Sequence, residues 1–193
     1  MTLYPVILPI HEAEPGLSGE EKVARLSRIA REALGISARN SGIVLGDLEK
    51  DEDDVPCPSN GIHWSLSHKP RCVAAVVSDG SIGIDIEEIE PRAEPIFGLV
   101  ASEEEWEMGG GKDWGTVFRY WTAKEAVLKA AGIGIGGLKK CRVTSIPDDN
   151  NIVLNYKDQL FKVEHKYYRN HVASILKGDN EVHWVIVEDF VHS

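Results

Sequence analysis

Asp85 and Glu87 stand two positions apart in the run Ile82-Gly83-Ile84-Asp85-Ile86-Glu87. In a strand, alternate side chains share a face about 7 Å apart. This spacing therefore puts the isoleucines on one side and both carboxylates on the other, near enough to hold one divalent cation between them. An acidic solvent face on a half-buried strand gives the same pattern, and the pair alone does not separate the two readings. A second set, Thr122, Glu125 and Lys129, recurs at i, i+3 and i+7. At 100° per residue these fall in one helical stripe, a carboxylate beside an ammonium, which suits phosphate chemistry or a structural ion pair alike. A third set, His68 with Lys69 and Arg71, forms a local basic patch.

The elements that must carry these residues are legible from periodicity. Asp85 and Glu87 lie on an alternating strand that Pro91 and Pro95 bring to an end. A helix from about Thr116 to Ala131 carries Glu125 and Lys129; its apolar residues spread around most of the circumference, so it is largely buried, with Lys124 snorkelling toward a different surface. Ser102 and Glu105 make a capping box for a short helix that Gly109-Gly110-Gly111 ends. His68 closes the first arm of a hairpin, Trp64 to His68 and Val73 to Val77, turning at Lys69-Pro70-Arg71. Phe161 to Lys166 and His171 to Leu176 repeat that layout, with His165-Lys166 in the place of His68-Lys69.

Ser18 and Glu21 form another capping box, opening a helix that Gly35 stops. Its Arg25, Arg28 and Arg31 are either solvated charges or part of an anion-binding wall. The opening MTLYPVILPI reads as an edge strand rather than a secretory signal. Glu49 to Asp54 reads as a surface loop with little chemistry, and Gly132 to Gly137 as a helix stop and mobile loop. That glycine run follows a helix instead of opening one, which excludes a dinucleotide-binding turn. Strand-like runs at Ile152 to Tyr156 and Val182 to Val187 complete an antiparallel sheet. The expected fold class is α/β (α+β): a pseudo-twofold pair of similar subdomains, 1–82 and 83–193, each an antiparallel sheet packed with a long helix, with a ligand in the cleft between them.

Composition narrows the partners. The 193 residues carry a formal charge of −10, with 42% hydrophobic and 27% charged residues, which fits a soluble globular chain and argues against nucleic acid or an anionic membrane as partner. Cys57, Cys72 and Cys141 form no pair motif and read as buried thiols of a reducing, cytoplasmic protein. His63 and His68 lack the spacing of a zinc site. From Lys124 to Arg142 five basic residues face one acidic residue, a local surface on which an acidic partner could dock.

Together, the sequences GIDIE (83–87), WTAKEAVLK (121–129) and SLSHK (65–69) resemble the signature of the 4'-phosphopantetheinyl transferases, and with the two-unit layout the surfactin-synthetase-activating type of that family. The resemblance implies a monomeric enzyme that moves 4'-phosphopantetheine from coenzyme A to a serine of an apo acyl or peptidyl carrier protein, releasing adenosine 3',5'-bisphosphate. It implies Mg²⁺, with Mn²⁺ able to substitute, held by Asp85, Glu87 and Glu125. Lys129 would reach the transferring phosphate, and Ser67, His68, Lys69 and Arg71 the coenzyme A phosphates. Glu125 is the candidate proton acceptor, directly or through a water, and Glu87 its rival. The family commonly has Ser or Thr where this chain has Lys69, and a basic residue near Pro56 where it has Asp54-Val55. A non-catalytic module binding coenzyme A or a carrier protein is the alternative.

Overall fold

The computed structural model describes residues 1–10 and 18–188. The chain runs through β1 (Thr2–Leu3), β2 (Val6–Pro9), α1 (Gly19–Asn40), β3 (His63–Lys69) and β4 (Cys72–Ser78). It continues through β5 (Ile84–Glu88), α2 (Ile96–Val100), α3 (Glu103–Met108), α4 (Trp114–Ala130) and a 3₁₀ helix at Ile135–Lys140. Four longer strands follow, β6 (Arg142–Asp148), β7 (Asn151–Tyr156), β8 (Gln159–Tyr168) and β9 (His171–Leu176), and then the short β10 (Glu181–Val182) and β11 (Val185–Ile186). Among the described residues two larger sheets form, in the orders β11-β2-β4-β3 and β5-β9-β8-β7-β6, and β1 and β10 make a third of two strands. In the two larger sheets a shared arrangement recurs. Each contains the same kernel: a lead strand lies beside the second arm of a hairpin, β2-β4-β3 in one and β5-β9-β8 in the other. The helix after each lead strand packs on it, α1 on the first sheet and α4 on the second. This is the mixed α/β architecture expected from the sequence.

Burial explains the pairing. Ile29, Ala33 and Leu34 of α1 sit against Val6, Leu8, Val73, Ala75 and Val77. Val117, Tyr120, Ala123 and Val127 of α4 cover Leu154 and Val163 of the second sheet. A third apolar layer joins the sheets, with Ile7, Ala74 and Val76 from one and Ile84, Ile86, Ala173 and Ile175 from the other. Alternate residues of β4 and β5 thus serve different neighbours, so both strands are buried through.

Several sequence expectations are corrected. The first strand is not an edge: β11 pairs with β2 in parallel, and β10 with β1, so the Val182–Val187 run returns to the N-terminal sheet instead of completing the antiparallel one. Capping the open edge of β2 with a late strand protects its backbone groups from stray pairing. Gly35 does not stop α1. Burial of Ser37 and Ala38 outweighs its low propensity, and the helix continues to Asn40, where Ser41 donates its Oγ to the Ser37 carbonyl (2.9 Å). His165-Lys166 does not match His68-Lys69. The turn-flanking pairs are Lys69–Cys72 and Tyr168–His171, which puts His165 two residues further from its turn. Its ring is buried, with Nδ1 2.8 Å from Ser174 Oγ, and burial pushes its pKa down to about 3, so it stays neutral. The glycine run 132–137 is not all loop, because its end is wound into the 3₁₀ helix. Cys57 is only half-buried, unlike Cys72 and Cys141. No described helix is long and apolar enough to cross a membrane.

Candidate active site

The site is built where α4 passes over β5. Gly83, just before the strand, makes that approach possible: a Cβ there would overlap the carbonyl oxygen of Ala126 and lie 2.9 Å from the backbone nitrogen of Ala130. Gly83→Ala must therefore push α4 off β5. The expected result is a loss of about 1–3 kcal/mol of stability, as for other overpacked sites, with displacement of Glu125 and Lys129. A lower melting temperature together with impaired metal binding checks it.

Asp85 and Glu87 are 5% and 3% exposed, which decides against an acidic solvent face. Buried charges persist only when paired. Asp85 Oδ1 accepts from Ser67 Oγ (2.7 Å) and from Lys129 Nζ (2.7 Å), and Lys129 also donates to the Ile84 carbonyl (3.0 Å). Glu87 is held by Lys69 Nζ at 2.8 Å and Arg92 Nη2 at 3.0 Å, one cation on each oxygen. Two carboxylate oxygens remain enclosed and without a partner, Asp85 Oδ2 and Glu125 Oε1.

Glu125 is the group the structure perturbs most tellingly. Burial pushes its carboxyl up to about 7. The negative charge of Asp85 adds to this and Glu87 contributes further, while Lys129 and Lys69 oppose. Glu125 thus lies within electrostatic reach of both strand acids, so the two distant segments bring their three carboxylates to one region.

Other residues are placed differently from the sequence reading. Lys129 does not pair along its own helix with Glu125 but across to Asp85. Lys124 does not snorkel. It is 1% exposed, with Nζ on Glu105 Oε1 (2.6 Å) and on the Val100 carbonyl (2.7 Å). Thr122 stands in the predicted stripe, with its Oγ1 2.6 Å from Ser174 Oγ on the strand facing β5. His68 is half-buried and its pKa is lowered, first by burial and then by the charges of Lys69 and Lys129, which favours a neutral imidazole beside two cations. Arg71 is exposed in the β3–β4 turn, where its charge bears on His171.

Sequence reasoning missed Arg92, whose only signal was its place five residues beyond Glu87, and Ser65, whose Oγ accepts from the Ile84 nitrogen (3.1 Å) and ties β3 to β5. It also undervalued the acidic loop. A cavity of about 520 Å³ opens beside Glu125 and Lys129, walled by Lys50, Asp53 to Pro56, Trp64 to Leu66 and Gly132 to Gly134. That volume suits a sizeable organic ligand.

A family profile described as the 4'-phosphopantetheinyl transferase superfamily matches residues 81–179, the span that carries Asp85, Glu87, Glu125 and Lys129. The chain belongs to this superfamily. Among similar proteins, the 4'-phosphopantetheinyl transferase psf-1 of Bacillus pumilus is 30% identical over 100 residues, which cover 50% of this chain and 43% of that protein. The 4'-phosphopantetheinyl transferase of Bacillus subtilis is 28% identical over 133 residues, 67% of this chain and 58% of that one. The chain thus spans about half the length of the curated relatives it matches. Ser67, His68 and Lys69 of this superfamily member lie outside the profile match; Ser67 and Lys69 are tied to the site by their contacts with Asp85 and Glu87, and His68 by the charges of Lys69 and Lys129 that bear on it.

The donor set fits a magnesium ion. Mg²⁺ takes one or two carboxylates and completes its shell with waters and phosphate oxygens, so it needs no closed protein cage. Among the described residues no three such side chains close tightly enough to cage an ion on their own. Asp85 Oδ2 and Glu125 Oε1, enclosed and without a partner, are the oxygens that could hold such an ion. Glu87 can join them by giving up Lys69 or Arg92.

Proposed function

We propose that this chain is a cytoplasmic, monomeric enzyme that transfers 4'-phosphopantetheine from coenzyme A to a serine hydroxyl of an apo acyl or peptidyl carrier protein, with Mg²⁺ held by Asp85, Glu87 and Glu125. The observation that carries the reading is the pair of buried, partnerless carboxylate oxygens on Asp85 and Glu125, flanked by Lys129 and Lys69. Two such oxygens on carboxylates from separate elements, beside two cations, are a donor set that a bound cation would satisfy. When bound, Mg²⁺, or Mn²⁺ in its place, supplies neutralising charge for the pyrophosphate.

The chain's own residues do the rest. Lys129 and Lys69, now lodged on Asp85 and Glu87, are the cations a pyrophosphate would draw toward itself. Ser67 and the neutral His68 stand beside them as hydrogen-bonding groups, and Arg71 is a more distant charge. The serine oxygen bonds to the phosphorus that bears the pantetheine arm, and the bond to the bridging oxygen breaks, its electron pair leaving with adenosine 3',5'-bisphosphate. The serine proton passes to Glu125, directly or through a water, with Glu87 as the other candidate. The carboxyl lies at about 7 in the metal-free protein, and a bound cation would draw it lower, toward the ionised form that can accept a proton. Such transfers need chiefly alignment and charge neutralisation. We place the division of the chain at 82/83, so that the two units meet at this site, with β10 and β11 of the second crossing back to pair with β1 and β2 of the first. The exposed Lys139, Lys140 and Arg142 offer an acidic carrier a docking surface; Lys124, buried on Glu105, adds nothing to it.

Incubation with apo carrier protein, coenzyme A and Mg²⁺ is expected to raise the carrier's mass by one phosphopantetheine. EDTA should suppress the gain, and added Mg²⁺ or Mn²⁺ should restore it. No gain across several carriers would assign the fold to a binding module instead.

A further inference from the structure

A row of polar side chains crosses the second sheet beneath α4. In the register of β5, β9 and β8, Asp85 stands opposite Ser174, and Ser174 opposite His165. Residues so paired share a face, with their Cβ atoms about 5 Å apart. The face is the one that α4 covers, since Lys129 reaches Asp85 at 2.7 Å and Thr122 Oγ1 lies 2.6 Å from Ser174 Oγ. Asp85, Ser174, His165 and Thr122 are all buried. A serine beside a histidine suggests a nucleophile, but Ser174 has no exposed surface that a substrate could meet. Buried polar groups cost stability unless they bond to one another, so a row of them between a helix and a sheet calls for another reason.

The donors and acceptors give the row a direction. Thr122 Oγ1 lies 2.8 Å from the Phe118 carbonyl and 3.3 Å from that of Arg119, and a carbonyl only accepts, so the threonine proton stays within its own helix. Toward Ser174 the threonine oxygen then accepts, and Ser174 donates. Ser174 in turn accepts from His165 Nδ1 at 2.8 Å. The neutral imidazole thus carries its one proton on Nδ1, leaving as a bare acceptor Nε2, which has no partner among the described residues. The opposite direction would bury an N–H at Nε2 with nothing to receive it.

Two contacts therefore tie α4 to this row, Thr122 to Ser174 and Lys129 to Asp85, and Glu125 lies between them on the same stripe of the helix. The charge of Asp85 pushes the Glu125 carboxyl upward, so the two acids repel once both are ionised. We propose that Ser174 is a positioning residue: held by His165, it fastens Thr122 to β9 and so keeps Glu125 over Asp85 at a separation that one divalent cation can bridge. The inference rests on the metal site read above. Without the tie the two carboxylates would move apart in the metal-free protein, and an arriving cation would have to draw α4 back, which weakens binding.

The probe is Mn²⁺ alone, titrated into the metal-free proteins and followed by the electron spin resonance of the unbound ion. Relative to wild type, Ser174→Ala and Thr122→Val are each expected to weaken binding by about tenfold, the upper end of what one hydrogen bond contributes, while Thr122→Ser, which keeps the hydroxyl, stays within about twofold. The double variant Ser174→Ala with Thr122→Val should bind no more weakly than either single one, because both changes remove the same tie. Nitrogen NMR of labelled wild type should find the His165 ring protonated at Nδ1, and Ser174→Ala should release it toward Nε2. Melting curves without metal separate a folding defect from a positioning one. Variants that melt lower yet bind Mn²⁺ as wild type does would make the row merely structural and overturn the proposal. So would a wild-type ring protonated at Nε2, or equal weakening by Thr122→Ser and Thr122→Val. A wild type that shows no saturable Mn²⁺ binding overturns the metal site on which the inference rests, an outcome told apart because it involves no substitution.

Discussion

Replacing Glu125 by glutamine is expected to abolish transfer and, in the same protein, to raise the melting temperature of the metal-free form at pH 8. Both effects have one cause. Burial, reinforced by Asp85 and Glu87, raises this carboxyl from its ordinary value near 4.5 to about 7. A raised acid binds its proton more tightly in the folded state, so its contribution to stability is fully present below the unfolded value and is lost as pH climbs through the folded one. The metal-free protein should thus lose stability between pH 4.5 and about 7 and level off above. Glutamine cannot ionise, so the variant should lack that decline and be the more stable of the two at pH 8. Transfer, in contrast, should fall by at least about 10²–10⁴-fold, the usual scale for losing an acid–base group, with metal affinity falling as well. Ligation needs the ionised carboxylate, so the wild-type affinity for Mg²⁺ should rise with pH through about 7. Scanning fluorimetry across pH and carrier mass measurements check the two arms. Full activity in the variant would show that this carboxylate is not part of the machinery, and a lower melting temperature at pH 8 would show that it makes favourable buried contacts instead.

What could be read from the chain beforehand follows from the range of the signals. Asp85 and Glu87 were legible because strand alternation is local, and Glu125 with Lys129 because helical periodicity is too. Partners are not local. Lys129 and Glu125 share a stripe, yet Lys129 reaches Asp85 because Gly83 lets β5 come close enough to compete with the helix's own neighbour. Nothing within α4 could announce that. Arg92 was hidden for the same reason, since its position by Glu87 depends on the chain turning back after β5. β6 escaped notice because irregular register between Val143 and Ser145 breaks the alternation that marks a strand. The acidic loop looked inert because composition says where a segment is wet, not which cavity it walls. The two-unit kernel was visible in the hairpins, but its true register, two residues off at His165, is set by the turn-flanking pairs Lys69–Cys72 and Tyr168–His171 and not by sequence likeness.

Lys124→Met should be the most destabilising of the substitutions considered, although Lys124 touches none of the candidate reacting groups. Its Nζ lies 2.6 Å from Glu105 Oε1, and both side chains are almost wholly enclosed. Burial alone would raise Glu105, but hydrogen bonds from Lys124 and from the backbone nitrogens of Ser102 and Val143 outweigh it and hold the carboxyl below its ordinary value. That carboxylate caps α3 at Ser102, anchors β6 at Val143 and meets α4 at Lys124, so it joins three elements at one point. Methionine keeps most of the lysine's volume and removes only the charge and donors. The unpaired buried carboxylate then costs about 3–5 kcal/mol, or roughly 6–20 °C in melting temperature for a chain of this size. The deficit should depend on pH in a definite direction. In the variant, burial without its opposing cation raises Glu105, so the neutral acid is tolerated at low pH and the penalty grows as pH rises through that raised value. Denaturant melts of wild type and Lys124→Met at acid and neutral pH therefore test the pair itself. A neutral-pH difference within about 0.5 kcal/mol, the size expected of a surface substitution, would mean that the lysine reaches solvent after all and that α3, α4 and β6 are held together by apolar packing alone.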